Sequence, residues 1–175
     1  EFNYAPQFER LFRPFEIADG VVIPAGDYRF TRWRAEFGTS SKRKVKVDGT
    51  WWFGSFYSGH SDEVEVEVEL KVAPHFQMSF ETEQTFARLK EGSFVARVFS
   101  LRANYSVSPF VTFFNLVQYD NESRDLGWQS RVRWILRPGN EIFVVFNQGW
   151  IRQQDGSFRS ARTGLAGKVQ YTFRF

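Results

Sequence analysis

TGLAGKVQYTFRF, residues 163–175, is the stretch from which the rest of the chain can be read. Leu165, Gly167, Val169, Tyr171, Phe173 and Phe175 fall on one face of an extended strand, and Ala166, Lys168, Gln170, Thr172 and Arg174 on the other, because successive side chains of a strand point to opposite faces. The segment exceeds the ~9–11 residues that cross a bilayer at a tilt, and its last position is aromatic. It predicts a wall element with one apolar and one polar side.

The composition repeats that division. Of 175 residues, 42% are hydrophobic and 19% aromatic, with 21 Phe, 6 Trp and 6 Tyr, yet the mean hydropathy is -0.40. Apolar residues are therefore diluted at close intervals by polar ones. A soluble β-sandwich seldom needs so many rings, whereas a lipid-facing barrel carries aromatic girdles at both interfaces. No apolar run approaches the ~18–20 residues of a spanning helix. The remaining membrane structure is a closed barrel, which leaves no open strand edge facing hydrocarbon. The length suits a single domain over 1–175. Cysteine is absent, which fits an oxidising envelope, and no leader is visible from Glu1 through Tyr4. A formal charge of +3, with arginines spread through the strands, offers no basic block suited to nucleic acid.

Ten strands are expected, at about 2–9, 27–38, 43–57, 62–72, 76–87, 93–106, 110–119, 126–137, 141–151 and 163–175. No helical period persists anywhere. Ala73-Pro74-His75, Ser106-Val107-Ser108-Pro109 and Pro138-Gly139-Asn140 predict tight turns. Residues 10–26, 58–61, 88–92, 120–125 and 152–162 are longer or more polar links. Counting back from Phe175 puts every tight turn on one rim, as in outer-membrane barrels with short periplasmic turns and longer outer loops. The closing stretch resembles the last strand of such barrels, which the barrel-assembly machinery reads. That resemblance implies an assembly signal at Val169, Tyr171, Phe173 and Phe175. The expected fold is all-β, an antiparallel up-and-down transmembrane barrel of outer-membrane type.

Matching apolar faces across 58–61 sets Trp51 by Val68, Phe53 by Val66 and Asp48 opposite Lys71. Placing Phe37 by Val45 then sets Glu36 opposite Lys46 and Arg34 opposite Asp48. Opposite charges facing each other across strands favour such a register. The outward face carries rings, among them Trp33, Trp51, Phe53, Phe80, Trp128, Trp134 and Tyr171. The inward face offers a candidate lumen lining of Arg34, Asp48, Glu63, Glu65, Glu67, Glu69, Glu81, Glu83, Arg131, Arg133 and Lys168. Glu65 is expected to face Glu83, and Glu67 to face Glu81, with Arg131, Arg133 and Lys168 several strands away. In a wide barrel these groups set a transverse field across water; in a narrow one they close into an interior salt-bridge network. Residues 110–119 and 141–151 are apolar on both faces, and either pack against an inward-folded 10–26 or form a locally apolar wall.

Ser58-Gly59-His60-Ser61-Asp62 holds the residue types of a hydrolase triad, but within one turn, where Gly, Ser and Asp serve the backbone. A triad needs a base oriented across a folded site, with an oxyanion hole beside it. His75 is expected as a solvated turn residue. Without Cys or a calcium-loop pattern, no metal, cofactor or catalysis is expected. Trp51, Trp52, Trp128, Trp134 and Trp150 have two uses, stacking on sugar rings or anchoring at the membrane interface.

LFRPFEIADGVVIPAGDYRF (11–30), LGWQSRVRWILRPGNEIFVVFNQGW (126–150) and the closing KVQYTFRF together resemble one bacterial family. It is the outer-membrane barrel family of unassigned function that usually follows a domain like carbohydrate-binding module family 9. The resemblance implies the carboxy-terminal barrel portion of a longer protein, linked to carbohydrate by association with that other domain. The expected function is a non-catalytic outer-membrane channel or scaffold component handling oligosaccharide. Its expected partners are outer-membrane lipid, the assembly machinery and oligosaccharide. The alternatives are a non-conducting anchor for an upstream carbohydrate-binding-like domain, and a soluble β-barrel or sandwich holding an apolar ligand.

Overall fold

A segment that is apolar on one side and polar on the other must still pair every backbone group. Without helical periodicity, the local solution is to hydrogen-bond to the segments before and after it. The computed structural model describes residues 1–173 and realises that solution. Its strands are β1 (Phe2–Leu11), β2 (Phe15–Ala18), β3 (Val21–Ile23), β4 (Gly26–Gly38), β5 (Val45–Phe56) and β6 (Gly59–Ala73), followed by β7 (Phe76–Arg88), β8 (Ser93–Ser108), β9 (Val111–Asp120), β10 (Asp125–Arg137), β11 (Asn140–Arg152) and β12 (Phe158–Gln170). Ten of them form one sheet, in the order β1-β4-β5-β6-β7-β8-β9-β10-β11-β12. All of its ladders are antiparallel, so the architecture is the expected all-β, up-and-down wall of outer-membrane type. Among the described residues no ladder joins β1 to β12, and the wall stands open along that seam.

Among the described residues no second large sheet covers this wall, the other sheet being the two-stranded β2–β3 hairpin. Trp51 is 45% exposed and Trp134 48%, whereas the Arg32 side chain on the opposite face is only 11% exposed. A soluble sandwich needs the reverse order, with its rings in a dry core between two sheets. Hydrocarbon is the solvent that suits the ring-bearing face.

The buried hydrophobic residues Val21, Ile23, Phe30 and Ala87 belong to the end of the wall where 10–26 leaves it. Two come from the hairpin and two from wall strands. Gly20, at φ 72°, closes the hairpin, and its N–H donates to Glu16 Oε1 at 3.0 Å. Val21 lies so close to Gly92 that a Cβ there would meet Val21 Cγ2 at 3.0 Å. Phe30, Phe56 and Tyr57 cluster beside it, with Phe30–Phe56 centroids 5.5 Å apart and Phe30–Tyr57 centroids 5.4 Å apart. The loop 10–26 thus folds back, but onto the β7–β8 link. The apolar inward positions of β9 and β11 are instead capped by arginines: Arg131 lies 5.5 Å over Phe114 and Arg133 5.9 Å over Phe143.

The three tight turns do share one rim. Each follows a one-residue register shift, between Lys71 and Ala73, Ser106 and Ser108, and Ile135 and Arg137. A bulge of this kind adds local twist where the strand reverses. The longer links 89–92, 121–124 and 153–157 lie on the other rim. Two links break the alternation: 39–44 is long on the tight-turn rim, and 57–58 is tight on the long-link rim.

Three expectations need correction. The β5–β6 register sets Trp51 opposite Val64 and Phe53 opposite Asp62, four residues from the expected pairing. The reversal occurs at Tyr57-Ser58, with Tyr57 at φ 45°, and not at 58–61. The β4–β5 register moves by four as well, setting Phe37 opposite Gly49. The ring fills the space a side chain at Gly49 would need, so that a Cβ there would collide with Phe37. Arg34 therefore faces Trp52, and Glu36 faces Thr50, while Asp48 faces Glu67 instead of Lys71. An even shift preserves facing, so every residue keeps its predicted side. Finally, the last strand begins at Phe158 and ends at Gln170. Beyond it the partner strand has run out, and Thr172 instead bonds Asn140 Oδ1 through its N–H at 2.9 Å and the Gly139 carbonyl through its hydroxyl at 2.8 Å. Val169 lies in the strand, Tyr171 and Phe173 lie past it with rings 4.6 Å apart, and Phe175 lies outside the described residues.

Candidate functional site: the polar face of the wall

The period-2 rule puts one polar side chain on the inward face at every second position, and the ladders fix which of them meet. From β5 to β8, Asp48 faces Glu67, which faces Glu81. One row away, Glu65 faces Glu83, as expected from sequence. Glu63 lies beside Trp52, which lies beside Arg34. Glu69 faces Lys46. All eight lining candidates of this half, Arg34, Asp48, Glu63, Glu65, Glu67, Glu69, Glu81 and Glu83, thus share one continuous surface.

The other half is basic. Arg131 lies between Phe114 and Val145, and Arg133 between Thr112 and Phe143. Lys168 faces Phe143 from the far side. These three share the inward face with the glutamates but are not brought to them.

Ion pairs show how local the electrostatics are. Arg34 pairs with Glu36 at 2.8 Å, two residues along its own strand, and Lys46 pairs with Asp48 in the same manner. Lys71 reaches Glu69 at 3.8 Å. Arg32 crosses to Glu63 at 3.2 Å, with Trp52 and Phe56 each 5.6 Å from its guanidinium. Arg102 serves Glu81 at 2.8 Å and Glu67 at 3.9 Å. In the basic half, Arg133 grips Glu141 with two bonds of 2.8 and 2.7 Å, and Arg162 pairs with Asp125. Among the described residues, no ion pair joins the acidic half to the basic half. Glu65, Glu83, Arg131 and Lys168 take part in none.

Trp52 is the tryptophan of this face, with the Arg34 guanidinium 5.4 Å from its ring. Trp51, Trp128, Trp134 and Trp150 belong to the outward face by the same registers. The sequence groups all five as candidates for stacking; the alternation of β5 separates Trp52 from Trp51. Glu141 was missed as a lining residue, although its even spacing from Phe143 would have revealed it.

The Ser/His/Asp set does not assemble. His60 Nε2 lies 3.2 Å from Asp62 Oδ2, but the Ser58 hydroxyl donates to Glu91. Ser61 is buried on the face opposite to His60, and its hydroxyl has no partner among the described residues. His75 sits on the tight-turn rim beside Tyr105, ring centroids 5.6 Å apart, across the wall from His60.

No protein-family model matches the chain, and neither does any curated protein. One solved structure is similar, a KdgM porin in complex with disordered oligogalacturonate. The likeness has 12% identity and a TM-score of 0.43, covering 99% of this chain and 92% of that one. The architecture described above rests on the chain's own ladders.

Proposed function

We propose that this chain forms the wall of an outer-membrane channel for polar solutes, with oligosaccharide as the solute class and no chemistry of its own. The observation that carries this reading is the separation of charge on the inward face. A sealed interior would draw Glu65 and Glu83 to Arg131 and Lys168, because burying unpaired charge is costly. The ion pairs stay local, and the unpaired groups stand on opposite halves, as suits walls with water between them. Trp52, with the partly exposed Arg34 guanidinium 5.4 Å from its ring, supplies an aromatic ring with a cation beside it, a combination that suits a sugar ring.

Single-channel recording in planar bilayers tests the proposal. Stepwise conductance is expected, and the quadruple variant Glu65→Gln, Glu67→Gln, Glu81→Gln, Glu83→Gln should shift the cation-to-anion permeability ratio by about tenfold, the lower end of field-focusing effects. A silent bilayer from protein that shows the heat-modifiable gel shift of a folded barrel would defeat the channel.

A further inference from the structure

The outward face has one group of cations that its aromatic character does not explain. Arg97 stands on β8 opposite Gln84, on the face that carries Phe80 and Trp128. Its guanidinium lies 5.9 Å over Phe86. Arg124 sits in the β9–β10 link, and its carbonyl accepts the Arg152 N–H at 2.8 Å. The three arginines converge on an open cleft of about 650 Å³, shared with Tyr119 and Asn121, at the long-link rim.

None of the three takes part in an ion pair among the described residues. Of the acids in the same links, Asp125 pairs with Arg162, Asp120 accepts from Glu122 N–H and Ser123 Oγ, Asp155 accepts from Ser157, and Glu122 joins no ion pair with the three arginines among the described residues. Asn121, which also lines the cleft, ties the link to β8 by donating to the Val95 carbonyl at 2.9 Å. Arg124 holds φ 55°, a left-handed conformation in which glycine is the cheaper residue. Like charges gathered without a counter-ion repel, and so call for an anion. Directly along the ladders next to the cleft runs an apolar row, Phe99, Tyr119, Leu126 and Trp150. Cations at a rim above rings that face hydrocarbon form the two-part surface that a lipid with an anionic head would meet.

We propose that Arg97, Arg124 and Arg152 bind the phosphate groups of an outer-leaflet glycolipid, with the Phe99–Trp150 row against its acyl chains. This inference rests on the outer-membrane reading above.

The test uses the full chain refolded into neutral phosphatidylcholine vesicles, titrated with diphosphorylated lipid A, its dephosphorylated form, or inorganic phosphate. The triple variant Arg97→Gln, Arg124→Gln, Arg152→Gln should bind the diphosphorylated lipid on the order of a hundredfold more weakly at low salt, at roughly fivefold per cation near a lipid surface. Arg43→Gln with Lys44→Gln, on the opposite rim, should leave binding unchanged. Arg124→Gly relaxes the left-handed backbone, so it should keep or raise resistance to urea while lowering affinity about fivefold, which separates a binding role from a folding one. Equal binding by the triple variant, or equal binding of the dephosphorylated lipid, would overturn the proposal. Displacement by inorganic phosphate at micromolar concentration would assign the site to a free anion and overturn the lipid. Absence of the heat-modifiable gel shift in the unmutated chain would instead count against the membrane wall itself.

Discussion

The β6–β7 hairpin and the β10–β11 hairpin are built on the same alternation, yet they handle charge in opposite ways. In β6–β7 carboxylates face carboxylates, Glu65 across from Glu83 and Glu67 across from Glu81, and Arg102 from β8 bridges only the second pair. In β10–β11 cations lie over rings, Arg131 on Phe114 and Arg133 on Phe143, and Arg133 also holds a bidentate carboxylate. The first hairpin tolerates its repulsion only if water screens it. The second makes its cations part of the wall's packing. One face of a single sheet is thereby divided into an acidic half, where like charges face each other, and a basic half, where cations lie over rings.

That contrast can be broken from the basic side first. Arg133→Met removes two charge-assisted bonds and leaves Glu141, whose side chain is 17% exposed, with no cation. A drop in resistance to urea unfolding from lipid vesicles is expected, softened because the arginine is half exposed and screened by solvent. No loss would mean that the Arg133–Glu141 pair does not hold the basic half together. On the acidic side the sign reverses. Glu83→Gln removes one of two facing charges, so stability should rise by ~0.2–1 kcal/mol, and a fall would show that Glu83 has a partner in the folded wall. The smallest effect is expected outside both halves. Asp155, in the link 153–157, is held below the usual carboxylate range by the hydroxyl and N–H of Ser157. A lowered value adds stability above the unfolded pKa of about 4, and that stability is lost as pH falls through the folded value. The difference between Asp155→Asn and the unmutated chain should therefore be present at neutral pH and shrink as the pH falls below the unfolded pKa. A difference that grows in acid would contradict the assignment.

Much of this was legible in the chain. Ten wall strands and the side on which each residue lies follow from period 2, which survives any even error in register. The register itself did not follow, because Val64, Val66, Val68 and Leu70 offer Trp51 nearly equivalent apolar partners. Matching apolar faces chose among them wrongly, and the opposite-charge pairs that followed were no check, since Arg34–Glu36 and Lys46–Asp48 are satisfied along one strand instead of between two. The deciding features were the reversal at Tyr57-Ser58 and the glycine opposite Phe37, both local backbone facts. The β2–β3 hairpin was hidden by its length, with strands of only 4 and 3 residues. The arginine cleft was hidden for another reason: its members come from β8, the β9–β10 link and the end of β11, and only the folded sheet brings them together.

The central claim is that hydrocarbon touches the rings and water touches the glutamates. The chain has 0 Cys, so single cysteines at positions 63 to 70 can be spin-labelled one at a time after refolding into lipid vesicles. Collisions with dissolved oxygen should peak at 64, 66, 68 and 70, and collisions with a water-soluble nickel chelate at 63, 65, 67 and 69. The opposite phase, or the same accessibility at every position, would contradict the account.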